Sequence, residues 1–178
     1  HCYCASLPRM AERTLSCSSL SKTYSITGWR LGYVIAPPAV TDSLRKVHDF
    51  LTVGAAAPLQ EAAVTALGFP DSYYRGLRDE YAAKRALFLR GLDEAGLRYT
   101  VPQGAYYVMV DVGEFGVTDD VAFCEWLAQQ VGVAAVPGSS FFREPVNHLI
   151  RFHFAKRDET LNEAVRRLSR LRAAVAGR

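Results

Sequence analysis

Cysteine is scarce in this sequence and poorly spaced for metal. Cys2, Cys4, Cys17 and Cys124 provide no C-x-x-C pair and no Cys/His spacing that would close a tetrahedral zinc site. Free thiols in a reducing compartment are the plain expectation. Long apolar runs are also missing. No stretch approaches the roughly 18 apolar residues of a membrane-spanning helix, and the opening HCYCASLPRM lacks the basic, apolar and small-residue zones of a secretion signal. A soluble, cytoplasmic protein with no membrane partner is expected. An excess of one charge is absent too: 21 basic and 18 acidic residues leave a net charge of +3, too small and scattered for a nucleic-acid footprint. There is no initiator methionine, so the segment is expected to be part of something longer.

What is present is globular in character. The 178 residues, 49% hydrophobic and 22% charged, are enough to bury a core and to form one or two domains. The densest basic cluster, Arg166, Arg167, Arg170, Arg172 and Arg178, is interleaved with Leu168, Leu171 and Val175 at helical spacing. It reads as the solvated face of a terminal helix.

Along the chain, TLSCSS at 14–19 and the apolar run 31–36, stopped by Pro37-Pro38, suit buried strands. Between them lies a loop rich in Ser, Thr and Gly. Val40, Leu44, Val47 and Leu51 recur at helical spacing over 38–51, and a second helix is expected over 58–67, closed by Gly68 and Pro70. Asp71 is expected to cap a long helix ending near Gly96 and joining two subdomains. RYTVPQGAYYVMVDV then reads as two strands around a Pro-Gln-Gly turn, followed by a helix over 118–131. GVAAVPGSSFF and HLIRFHFA read as two more strands, and Asp158 as the cap of a final helix to about residue 176.

Lys22 is the first candidate for chemistry. A lysine in an apolar, Gly/Ser-flanked loop is suited to nucleophilic amine chemistry if desolvation or a nearby cation frees its lone pair. A structural lysine with a snorkelling stem is the alternative. Ser19, Ser21 and Arg30 place hydroxyls and a guanidinium on the same loop, a set suited to a phosphate dianion. Gly28 and Gly32 would let the backbone pass close to a flat ligand.

The run SLSKTYSITGWRLG at 19–32 resembles the pyridoxal-phosphate attachment signature of the class I/II, fold-type-I aminotransferases. Small residue, apolar residue, small residue and lysine are followed at the expected offset by Gly-x-Arg-apolar-Gly. That resemblance implies that Lys22 holds pyridoxal 5′-phosphate as a Schiff base and that Ser19 and Arg30 bind its phosphate, with Ser21 beside them. ERTLSCSSLSK is similar to the strand entering the family's lysine loop, and VPQGAYYVMVDV to its small-domain hairpin. GVAAVPGSSFF with HLIRFHFA resembles the paired strands whose arginine holds the substrate α-carboxylate, which identifies Arg151. Read from the strand pattern alone, Arg151 is equally compatible with an edge-strand charge.

The resemblance implies an α/β fold: the end of a large domain with a mixed, mostly parallel sheet over residues 1–95, and a small α+β domain over 96–178. It also implies a cytoplasmic homodimer that moves an amino group between an amino acid and a 2-oxo acid. Members run to roughly twice this length, and the acidic partner of the cofactor ring lies in the part not matched here. The segment alone is therefore expected to be inactive. A carbon–sulfur lyase or synthase, the ligand-sensing domain of a transcription regulator, or an inactive remnant are the competing readings. His48 and Asp49 fit a helix surface or an approach to a dimer interface, while His148 and His153 fit ordinary strand positions rather than metal ligation. Tyr106, Tyr107 and Phe141 are read as core aromatics in preference to a substrate entrance, and Gly138 and Ser139 as a structural turn.

Overall fold

The computed structural model describes residues 2–177, and the chain divides into two compact units, His1–Asp71 and Ser72–Arg178. Arg178, the last of the basic cluster, lies outside the described residues.

In the first unit, β1 (Ser16–Ser19) and β2 (Gly32–Ile35) form an antiparallel ribbon in which Ser19 pairs with Gly32. Glycine is required at 32: a Cβ there would meet the Ser18 carbonyl oxygen at 2.7 Å. Two helices follow, α1 (Pro38–Leu51) and α2 (Ala57–Leu67), each with proline in its first turn, where the missing N–H costs no hydrogen bond. The expectation of buried strands fails here. β2 is exposed at every position and β1 at three of four, because a groove of about 590 Å³ stays open among ribbon residues such as Tyr33 and Val34 and α1 residues such as Leu44 and Val47. Burial in this unit centres on Leu20, Leu31 and Ala63, against which Tyr24, Ile26 and Leu59 pack.

The second unit holds most of the core. Its sheet has the order β3-β4-β6-β5, from β3 (Arg98–Thr100), β4 (Tyr107–Asp111), β5 (Val136–Pro137) and β6 (Leu149–His153), with every pair antiparallel. No parallel pair occurs among the described residues, so the mostly parallel sheet expected of the large domain is not represented here. Residues alternate along the strands: Val108 and Val110 on β4, and Ile150 and Phe152 on β6, are buried. The long helix α3 (Asp71–Glu94) buries Phe88, Gly91 and Leu92, with Phe88 edge-on to Phe152 at 5.9 Å between ring centres. Its C-terminal turn thus belongs to this unit by packing. α3 ends in a left-handed Gly96, with Gly96 N–H donating to Asp93 O and Leu97 N–H to Leu92 O, both at 2.9 Å. That is a Schellman closure, with buried Leu97 packed behind it.

Two helical expectations change. The segment over 118–131 is α4 (Asp120–Trp126), capped by Asp119, and it widens to a π turn over Leu127–Val131 before left-handed Gly132. The final helix is two, α5 (Asp158–Leu168) and α6 (Leu171–Ala176). Ser169 Oγ donates to the Arg166 carbonyl at 2.9 Å, a local bond that competes with the helical ladder, and the break lets both Leu168 and Leu171 be buried. Asp158 sits inside the first turn, where its charge suits the helix dipole, while Arg157 occupies the cap position.

Candidate active site

The lysine loop is closed at its base by the β1–β2 pairing and by the Leu20 N–H, which donates to Leu31 O at 3.1 Å. Leu20 and Leu31 anchor it in the small apolar cluster. Inside that frame, Ser19 Oγ donates to Ser21 Oγ at 2.8 Å and accepts the Ser21 N–H at 3.1 Å. Ser21 is buried. Its carbonyl oxygen accepts the Ile26 N–H at 3.0 Å and the Thr27 hydroxyl at 3.3 Å. Thr27 is the hub on the other side: its hydroxyl oxygen accepts from Lys22 Nζ at 3.3 Å, and its carbonyl from Arg30 Nη1 at 2.9 Å.

Ser19, Ser21, Lys22 and Arg30 are therefore brought onto one loop. Lys22 and Arg30 are both exposed, which corrects the expectation of a lysine held in apolar surroundings: within this unit the amine meets hydroxyls and solvent. Arg30 and Ser25 both have φ of 57°, a left-handed conformation that costs a residue with a Cβ about 1 kcal/mol or more. Gly28 has nothing within 4 Å of a would-be Cβ, so no close approach among the described residues requires glycine there.

Arg151 belongs to the second unit. β6 lies between β4 and β5, so the edge-strand alternative is overturned: Arg151 pairs with Met109 on one side and Val136 on the other. It alternates with buried Ile150 and Phe152 and so projects from the sheet face opposite the core. Its guanidinium carbon lies 4.1 Å from the centre of the Tyr107 ring and 3.9 Å from that of Phe141. With aromatic rings against the planar group, its N–H edges are what remain for a ligand.

That arrangement corrects the reading of Phe141 as core, since Phe141 is 48% exposed and works as a wall for Arg151. Tyr107 is half-buried, and its hydroxyl is hydrogen-bonded to that of Tyr106 at 3.0 Å. Tyr106 is pushed up to about 12 by that bond first and then by burial. Gly138 and Ser139 do form the expected turn. A Cβ at 138 would lie 2.4 Å from Leu149 O, and the Ser139 N–H donates to Asp120 Oδ2 at 2.7 Å.

Asp120 and Thr27 were not singled out from the sequence. Their only signal was position, in a helix start and in a loop of many hydroxyls. His48 bonds Thr52 Oγ1 at 2.8 Å one helical turn away. His153 is held below its usual range by partial burial and then by Lys156 and Arg151. Burial pushes the Cys124 thiol up to about 11, with Asp120 adding to it.

Residues 4–168 match the family model described as aminotransferase class I and II. The methionine aminotransferase of Escherichia coli is 41% identical over 165 residues, covering 92% of this chain and 43% of that protein. A probable N-succinyldiaminopimelate aminotransferase of Mycobacterium tuberculosis is 36% identical over 179 residues, covering 95% of this chain and 45% of that protein. Among solved structures, the E. coli protein YbdL, identified with a methionine aminotransferase function, superposes with a TM-score of 0.89 at 39% identity, over 96% of this chain and 45% of that one. An aromatic aminotransferase from Pyrococcus horikoshii gives 0.85 at 34% identity, over 94% and 45%. The chain spans less than half the length of these relatives.

Proposed function

Because this chain belongs to the class I and II aminotransferases, we propose that the protein containing it is a pyridoxal-phosphate-dependent enzyme moving an amino group between an amino acid and a 2-oxo acid. One observation carries the reading. The Lys22 loop offers a primary amine, two linked hydroxyls and an exposed guanidinium on a single strand-to-strand connection. That donor set fits an aldehyde bearing a phosphate dianion.

When bound, pyridoxal phosphate supplies an aldehyde for amines and a ring that withdraws electrons from the carbon beside the nitrogen. This chain's residues do the rest of what is assigned here. Lys22 Nζ would hold the cofactor through its aldehyde and, once released by the incoming substrate amine, would carry the proton taken from the substrate α-carbon. Ser19 and Ser21 hydroxyls and the Arg30 guanidinium would hold its phosphate. Arg151 binds the α-carboxylate through its N–H edge and so fixes the orientation of the α-carbon. In the whole protein, residues 1–95 are assigned to the C-terminal part of a large cofactor-binding domain together with the linking helix, and 96–178 to a small domain. We assign the whole protein as a cytoplasmic homodimer.

The full-length protein, purified with pyridoxal phosphate, tests this. A visible absorbance band from lysine-bound cofactor is expected in the parent and absent in Lys22→Ala. Keto-acid formation should also require an added 2-oxo acid, which a lyase would not need. A band that survives Lys22→Ala overturns the assignment of Lys22, and turnover without acceptor overturns transamination.

A further inference from the structure

Two polar or charged side chains are buried among the described residues: Ser21, inside the lysine loop, and Asp120, which is 2% exposed. A carboxylate removed from water to this extent needs strong hydrogen bonds to persist. Asp120 sits at the start of α4, yet it is the adjacent Asp119 that caps this helix, accepting the Ala122 N–H at 3.0 Å. Asp120 instead reaches the Ser139 N–H at 2.7 Å.

Ser139 lies in the turn Gly138–Phe141. One end of that turn is pressed on β6 at Gly138, where no Cβ fits against Leu149. The other end carries Phe141, whose ring lies 3.9 Å from the Arg151 guanidinium carbon. The chain of contacts is therefore Asp120 to Ser139, Ser139 through the turn to Phe141, and Phe141 to Arg151. A charge-assisted bond is short and directional, so it fixes where the turn and its aromatic ring stand.

We propose that Asp120 is a positioning residue for carboxylate binding: by holding the Ser139 N–H it keeps Phe141 against the Arg151 guanidinium, so that its N–H edge is aimed at the substrate. The proposal rests on the reading of Arg151 as the carboxylate ligand. It assigns to Asp120 an effect on substrate affinity rather than on the chemical step.

The test uses the full-length holoenzyme with the L-amino acid it turns over fastest among the proteinogenic set, and with the deamino analogue of that amino acid as an unreactive carboxylate. Asp120→Leu keeps the branching at Cγ, with bulkier methyls in place of the oxygens, and removes the acceptor. It should raise KM and the Kd of the analogue about fivefold, the worth of one hydrogen bond, with kcat changed less than about twofold. Asp120→Asn keeps an acceptor oxygen and should restore most of the affinity. In a Phe141→Leu background, Asp120→Leu should add little further loss, since both act through the same ring. If Asp120→Leu does not fold, Asp120→Ser, too short to hold the same N–H directly, should give the same rise in Kd. An unchanged KM and Kd with only a lower Tm, or fully additive losses with Phe141→Leu, would show that Asp120 supports the fold alone. Arg151→Lys separates the two readings. If it leaves the analogue's Kd unchanged, Arg151 is not the carboxylate ligand and both assignments fall; if it weakens binding while Asp120→Leu does not, only the Asp120 proposal falls.

Discussion

As the proposed carboxylate ligand, Arg151 depends on the two rings beside it. A lysine at 151 would keep the charge but present no planar face to Tyr107 and Phe141 and no fork to a carboxylate. Arg151→Lys in the full-length enzyme should therefore lower kcat/KM about tenfold to a hundredfold, equivalent to about 1.5–3 kcal/mol for a hydrogen-bonded charged pair. Steady-state kinetics would check this, and a loss under twofold would remove Arg151 from carboxylate binding. Arg30 makes a separate point at the same scale. Its left-handed backbone is retained without glycine, which fits a position where the side chain is needed more than local comfort. Arg30→Gly should relieve that strain while weakening phosphate retention, so the variant should lose pyridoxal phosphate on dialysis faster than the parent.

Among the elements, α3 and α5 approach closely at one point. A Cβ on Gly91 would stand 2.2 Å from a methyl of Val165, a branched side chain that cannot swing away. Overpacking of this kind costs about 1–3 kcal/mol, and better helix propensity returns about 1 kcal/mol. Gly91→Ala should thus lower stability by up to about 2 kcal/mol in denaturant melts, and Val165→Ala in the same chain should relieve much of the strain. On α5, Glu163 accepts two bonds of 2.6 Å from Arg166 and one of 2.7 Å from Arg167. The Arg166 bonds first, then that from Arg167, hold its carboxyl down to about 2, against an ordinary value of 4.5. A depressed folded value means that the contribution is present above pH 4.5 and fades as pH falls toward 2. Glu163→Gln should accordingly narrow the acid-side loss of stability between those limits. Because the group is exposed, added salt should shrink the difference.

For the whole molecule, the two units differ in how well they are covered. The second has Leu92, Val110, Val112, Leu127 and Ile150 fully buried. The first leaves Phe50 94% and Val53 85% exposed, with Ile35, Val47 and Leu51 also open. Apolar surface of that extent, beside a two-stranded ribbon with free edges, drives association. The isolated 178-residue chain should therefore self-associate on size exclusion, bind hydrophobic dyes, and show no transamination. A monodisperse, active chain would overturn that expectation.

The family was legible without coordinates, since its attachment signature depends on residue types at fixed short offsets: Ser19, Ser21, Lys22 and Arg30, the proposed cofactor residues, lie within twelve consecutive positions. Most elements were legible too, because hydrophobic periodicity and proline positions act locally; α1 occupies the expected Pro38–Leu51. What only tertiary structure decided involves residues distant in sequence. Burial of β1 and β2 depends on what packs over them, and here a groove stays open between them and α1. The place of Arg151 inside the sheet, the aromatic rings at its faces, and the bond from Asp120 to a turn nineteen residues away arise from strand pairing and packing across the fold. No local pattern encodes those contacts, because each requires that two segments first be folded against one another.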